Sequence, residues 1–307
     1  MGPLLFLIFI NDIPRASELL TWLFADDTAL VASASNLELL QVKMNCQIEK
    51  VHDWLLANML SVHYVKKSQY MLVNKNNNTR INDEFKLVMG NHIIARTNCY
   101  RYLGLLVDEK FCLADHINEV CTKFSQVAGT LFKIRKLLSK QALMLIYHSL
   151  IGSKLRYGLV CWATAKKFLL DKVHKMHNKI VTCLTFKKRC NELWPLYQQL
   201  KVLPLKILIK IEHGKTMYKF RNKMLPQVFN TYFETPPHLY FTRFSSNNNF
   251  AMSSISTVKE EALLRYIGPK TWLSIPFLIR DSLSLKVFVK MYRNHLIGNI
   301  DTVNDSF

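Results

Sequence analysis

Asp26 and Asp27 stand side by side in LFADDTALVA (residues 23–32), between two short runs of apolar, β-prone residues. Adjacent carboxylates are hard oxygen donors of the kind that suits Mg²⁺, and a pair of such ions activates a hydroxyl nucleophile while neutralising a phosphate in transfer. Neighbouring side chains on a regular strand point to opposite faces, so the two acids reach one site only if a turn redirects them. The pattern predicts that turn, a hairpin with Asp26 and Asp27 at its tip. Acidic residues are also common in turns for a plainer reason, since they bond their own backbone. An aromatic residue, any residue and two aspartates arise by chance in roughly one chain of this length in fifteen. The string alone does not separate the two explanations.

Charge is the second chemical feature. The 307 residues include 41 Lys and Arg against 22 Asp and Glu, a formal charge of +19, which favours a polyanionic partner such as nucleic acid or an acidic membrane surface. The excess is localised. Residues 1–120 carry a net −2, residues 121–190 hold 15 basic residues and the single acid Asp171 for a net +14, and residues 191–307 carry +7. Such concentration marks an electrostatic footprint rather than general solubilisation. Inside it, Lys172, Lys175 and Lys179 share one helix face, opposite Val173, Met176, Ile180 and Leu184. That face is either solvated surface or a ridge that tracks phosphates.

Seven cysteines, an odd number with no CxxC pair, indicate neither a disulfide framework nor a zinc knuckle and fit a reducing, intracellular setting. His174, His177, Cys183 and Cys190 are too irregularly spaced to predict zinc.

Several elements must position these groups. MGPLLFLIFINDI at the start reads as a buried helix with Pro3 in its first turn. It is too short to span a bilayer and lacks the basic flank of a signal peptide, so no membrane partner is expected. Phe6 also stands where a myristoylation signal on Gly2 needs Ser or Thr. Asn36 opens a second helix with Leu37, Leu40, Met44, Ile48, Val51, Leu55 and Met59 on one stripe. SQYMLV (68–73) and YRYLGLLVD (100–108) read as strands, with a polar loop around NKNNNTRIND (74–83) between them. From Asp115 a long amphipathic helix runs through Ile117, Val120, Phe124, Val127, Leu131, Ile134 and Leu138. Further helices are expected near residues 140–151, 168–186 and 206–220, and a break at ETPPHLYFTRFSSNNNF (234–250), where Pro236 and Pro237 interrupt the chain. The class is α+β, divided into two or three packed units.

GPLLFLIFINDI, FADD, WLLANMLSV, KKSQYMLV and YLGLLVDEKFCLADHI occur in this order and together resemble the reverse transcriptase of non-LTR retrotransposons, most closely the jockey and CR1 type of LINE element. The resemblance covers residues 2 to about 190, and MYKFRNKMLPQVFNTYF and YIGPKTWLSIP are similar to the tail that follows the polymerase in such elements. It implies an RNA-directed DNA polymerase working by two-metal nucleotidyl transfer, with Mg²⁺, an RNA template, a DNA primer and dNTPs, in the nucleus. It also implies part of a polymerase palm over 1–112, a basic helical thumb over 113–190 and a mainly helical C-terminal extension over 191–307.

Residue by residue, the resemblance makes Asp26 the principal metal ligand and Asp27 its supporting partner, with Phe24 near the primer end. Gly2 and Pro3 match the segment beside the template and incoming nucleotide. Lys67 corresponds to the proton donor toward the leaving pyrophosphate, with Lys66 as the alternative. Tyr102, Leu103 and Gly104 resemble the primer-grip turn, and the thumb assignment favours the phosphate ridge at Lys172, Lys175 and Lys179. One departure stands out. The family's palm has a third aspartate on a strand well upstream of the hairpin, and fingers beyond it, whereas only 23 residues precede Phe24. Asp12 belongs to a different segment of the motif series. The expectation is therefore an N-terminally truncated polymerase, with a non-catalytic nucleic-acid-binding remnant as the alternative and a small metal-dependent nuclease a weaker third.

Overall fold

The computed structural model describes residues 1–64, 67–73, 85–186, 192–230, 232–233, 250 and 261–299. Two compact units emerge: Met1–Tyr102 with Val107–Phe111, and Leu103–Leu106 with Cys112–Phe307. The class is α+β, as expected, with the described strands confined to the first 108 residues.

In the first unit, α1 (Gly2–Ile10) leads to the antiparallel pair β1 (Leu20–Phe24) and β2 (Asp27–Val31), then to the long helix α2 (Leu37–Ala57). Asn36 caps α2 by accepting the Leu39 N–H at 2.8 Å, satisfying an amide that has no intrahelical partner. β3 (Gln69–Tyr70), β4 (Leu87–Met89) and β5 (His92–Arg96) make a small sheet in the order β3-β5-β4, with β3 parallel and β4 antiparallel to β5. β4 is an edge, and α2 covers it: Asn45 accepts the Val88 N–H at 3.0 Å and donates to the Lys86 carbonyl at 3.3 Å, so a side-chain amide stands in for a missing strand. Ile48 and Val51 of α2 bury against Leu87, Met89 and Ile94, together with Ile10, Ile13 and Leu19.

Four expectations are corrected here. α1 is helical but not buried: Leu4, Leu5, Leu7, Ile8 and Phe9 are exposed, Ile8 at 65%, and only Ile10 is sealed. A helix that is apolar all round has no preferred face, so its sequence cannot say how much of it will be covered. The α2 stripe stops short of Met59, which takes a left-handed φ of 54° beyond the helix end and is exposed. SQYMLV contributes only two paired residues, because β3 has only Ala95 and Arg96 of β5 opposite it. YRYLGLLVD is not one strand but two, β6 (Cys99–Tyr102) and β7 (Leu105–Asp108), folded at Leu103–Gly104. The β4–β5 hairpin was not expected at all; it turns at Gly90–Asn91 with Gly90 at φ +57°. The loops at 74–83 and 234–250 fall almost wholly outside the described residues.

The second unit is helical. α3 (Ala114–Ile134) lies along α7 (Lys167–Leu184), pressing Ile117, Val120, Phe124 and Leu131 into a core with Leu169, Val173, Ile180 and Leu184. Leu138 lies beyond the end of α3. Between the two, α4 (Lys140–Ile146) passes into a π-helical turn at Tyr147–Gly152, then α5 (Ser153–Arg156) and α6 (Leu159–Trp162). α8 (Trp194–Leu200) and α9 (Leu205–Arg221) follow, then α10 (Leu264–Ser274), α11 (Phe277–Arg280) and α12 (Leu285–Gly298). α9 packs against α6, α7, α10 and α12, so residues on both sides of position 190 share one core. Its buried Leu205, Ile207, Leu208, Ile209, Ile211 and Met217 show why: a helix apolar on several sides needs neighbours on several sides.

Candidate functional site

The β1–β2 hairpin closes with Phe24 opposite Asp27, leaving Ala25 and Asp26 as a two-residue turn. Ala25 has φ 52°, a left-handed value that a residue with a Cβ adopts at a cost of about 1–2 kcal/mol, and Asp26 does not share it. Positive φ at the first central residue alone is the sign pattern of a type II′ turn, whose twist matches the strands it joins. Asp26 thus occupies the tip and Asp27 opens β2, both exposed, with no described residue bonded to either carboxylate. The expected hairpin is present, with Asp26 in its turn and Asp27 as the first residue of the second strand.

Cross-strand partners share a face. The register therefore groups Asp27 with Phe24, Trp22, Ala29, Leu20 and Val31, and sets Thr21, Leu23, Thr28 and Leu30 on the other side. Leu23 and Leu30 turn toward the core, whereas Phe24 (63%), Trp22 (48%), Leu20 and Val31 stay open to solvent. The acid pair sits at the end of an uncovered apolar strand face. Among the described residues, no third ligand joins Asp26 and Asp27; the group of three that does converge lies elsewhere, on α2.

The other expected residues distribute as follows. Gly2 and Pro3 form the exposed first turn of α1. Lys67 is exposed in the loop before β3, its N–H donating to the His63 carbonyl at 3.3 Å, while Lys66 lies outside the described residues. Tyr102 ends β6 and Leu103 and Gly104, with φ of 44° and 81°, form the β6–β7 turn. Two successive positive values are the type I′ signature, and Leu103 is the strained member. Tyr157 holds it there, donating its Oη to the Leu103 carbonyl at 2.5 Å with its ring 3.2 Å from where a Gly104 Cβ would stand. Nothing local in the sequence announces Tyr157, whose role comes from a contact 54 residues away.

In the second unit, Lys172, Lys175 and Lys179 are all exposed along α7, with the buried stripe of Val173, His177 and Ile180 behind them. No described residue makes an ion pair with any of the three. Two other cations of this stretch have partners. Lys123 pairs with Glu119 one turn away on α3. Arg135, at the end of α3, donates to the Cys183 carbonyl in the last turn of α7 at 2.8 Å and lies over the Phe132 and Phe186 rings. Arg135 therefore ties two helix ends together.

His177 is fully buried, its Nε2 2.7 Å from Tyr147 Oη and its Nδ1 3.3 Å from Tyr197 Oη. Both ring nitrogens are occupied by phenols, which accounts for a histidine at this position without a metal. Burial and the nearby His174 push its pKa down to about 3, so it stays neutral.

The first unit thus carries an exposed acid-tipped hairpin and the second an exposed row of three lysines. The chain is similar to the RNA-directed DNA polymerase from mobile element jockey of Drosophila melanogaster, 23% identical over 190 residues, and to that of Drosophila funebris, 21% identical over 192 residues. These matches cover 58% and 59% of this chain and 20% of each relative, so the chain spans about a fifth of their length. They support a distant relationship to mobile-element reverse transcriptases. No protein-family model and no solved structure matches the chain. No described helix is long and apolar enough to cross a membrane.

Proposed function

We propose that the chain is the C-terminal palm and thumb portion of a mobile-element RNA-directed DNA polymerase, with an extension after residue 190, acting on an RNA template, a DNA primer and dNTPs in the nucleus. The observation that carries this is the exposed Asp26–Asp27 tip at the end of an uncovered apolar strand face, in a chain similar to the jockey polymerases. Mg²⁺ is commonly bound by one or two carboxylates with water and substrate phosphates completing its shell, so the pair fits as its protein ligands. There the ion supplies charge neutralisation at the phosphoryl group in transfer. Phe24, beside Asp27 on the same face, offers a ring against the primer end, and Gly2 and Pro3 approach the template side. Lys67 holds a proton for the leaving pyrophosphate, the Tyr102–Gly104 turn supports the primer, and Lys172, Lys175 and Lys179 bind backbone phosphates.

The bare face of β1–β2 supports the further view that a strand carrying a third carboxylate packs there in the complete enzyme. A second reading has its own observation. The described residues bring no third ligand to the hairpin, which favours a nucleic-acid-binding remnant without turnover. Primer extension on an RNA template distinguishes the two, run with this chain and with one lengthened by the polypeptide encoded immediately upstream. Polymerase identity predicts incorporation by the longer chain that Asp26→Ala lowers by at least about 10²-fold. Both chains should bind primer–template with a salt slope that falls by about 3 when all three lysines become alanine. Binding without incorporation in either chain establishes the remnant. No salt-sensitive binding at all removes both.

A further inference from the structure

Glu49, His52 and Asp53 converge on α2, with one ligand atom from each lying within 4.8 Å of the others. Their spacing, i, i+3 and i+4, puts all three on one helix face. Two of them are exposed acids, which alone would mean only a charged surface. His52 is the different member, since it is 9% exposed and its Nδ1 is buried with no hydrogen-bond partner.

The surroundings of that ring are built from several directions. On one side Nε2 lies 2.9 Å from Tyr64 Oη, and the Tyr64 ring stacks on His92 at 4.3 Å, which fixes the phenol. In the tautomer whose Nε2–H donates to Tyr64, the lone pair resides on Nδ1. On the other side Nδ1 faces Glu49 Oε1 at 3.8 Å, too far for a hydrogen bond. A cation with bonds of about 2.0–2.2 Å to each atom fills a gap of this size. Glu49 is itself held, because its second oxygen accepts the Gly90 N–H at 3.2 Å. Gly90 permits the arrangement: at φ +57° it closes the β4–β5 turn over the imidazole, where a Cβ would stand 2.7 Å from Cε1.

We propose that Glu49, His52 and Asp53 bind a divalent cation of the zinc class, with Tyr64 orienting the imidazole, and that the ion fastens α2 to the β4–β5 turn. One imidazole with two carboxylates suits Zn²⁺ and leaves a fourth position for water, whereas Mg²⁺ prefers an all-oxygen shell. The site shares no residue with the Asp26–Asp27 tip and does not depend on the polymerase assignment.

The full chain, stripped of metal and dialysed against Zn²⁺ alone, should retain one equivalent more than either Asp53→Asn or Glu49→Gln. Zinc held by cysteines elsewhere is common to all three proteins and cancels in the difference. His52→Ala should lose the same equivalent, and if that core variant does not fold, the two exposed positions carry the test. Tyr64→Phe should keep the stoichiometry and bind at least about 10-fold more weakly in competition with a chelator, as removal of an orienting hydrogen bond does. Equal zinc in the wild type, Asp53→Asn and Glu49→Gln overturns the proposal, as does an absence of bound zinc in the wild type.

Discussion

The β1–β2 hairpin and the α3–α7 helix pair both carry large apolar side chains at regular spacing, yet they dispose of them in opposite ways. In the helix pair Phe124, Ile117, Leu131, Val173 and Ile180 are wholly enclosed, and even a histidine inside has both ring nitrogens satisfied. In the hairpin, Leu23 and Leu30 reach a core while Leu20, Trp22, Phe24 and Val31 face solvent, as do most of the apolar residues of α1. A contiguous exposed apolar patch of this kind marks a surface meant to be covered. The seam between α3 and α7 is enclosed, whereas the β1–β2 hairpin leaves one of its two apolar faces open.

Truncation at the two places should expose that difference most strongly. Phe124→Ala is expected to destabilise the helical unit by about 3–5 kcal/mol, the range for removing a large aromatic side chain from a packed core. Trp22→Ser should cost much less, about 1 kcal/mol, since about half of the side chain is already exposed. Urea titration of both variants checks the pair. A loss of several kcal/mol for Trp22→Ser would show that the strand face is covered already.

The contrast also explains which parts of the molecule could be anticipated from residue order. α3 and α7 were legible because helix propensity and a one-sided apolar stripe agree, and the stripe of α7 correctly sets Lys172, Lys175 and Lys179 outside. The hairpin was legible because its turn residues are local. α1 was legible as a helix but not as an exposed one, because burial depends on what lies beside it. The β4–β5 hairpin carries a Gly-Asn turn between apolar residues, a readable signal, but β4 is three residues long and relies on Asn45 of α2 for its edge. Tyr157 and the Glu49–His52–Asp53 group were out of reach for the same reason. Each acts through partners such as Leu103, Tyr64 and Gly90 that only the folded chain brings near.

A milder perturbation separates the units by pH. His177 titrates near 3 when folded, against an ordinary value of 6.5, because burial disfavours its charged form. The unfolded chain therefore takes up a proton that the folded chain refuses once the pH drops below about 6.5. Stability of the helical unit is retained above that pH and falls as the pH falls toward 3, by up to about 1.4 kcal/mol per unit from this residue. His213, held by burial at about 4, adds to the slope in the same direction. Urea midpoints measured from pH 7 to pH 4.5 should decline, and less steeply in His177→Gln. An identical slope in that variant would mean the imidazole is charged in the folded protein.

The smallest expected effect concerns the tip of the hairpin itself. Ala25 stands at φ 52°, where a Cβ costs about 1–2 kcal/mol and glycine is comfortable. Ala25→Gly relieves that strain but also frees the unfolded chain, which returns about 0.5–1 kcal/mol. The difference leaves a net stabilisation near 0.5 kcal/mol, enough to resolve in a urea midpoint. On the proposed polymerase reading alanine has a role here regardless, because a stiffer turn fixes the directions of Asp26 and Asp27 relative to each other. Ala25→Gly in the upstream-lengthened chain should therefore gain slightly in stability and lose incorporation. Equal loss of both would assign Ala25 to packing instead, and bring the hairpin closer in character to the enclosed helices than its exposed face now shows.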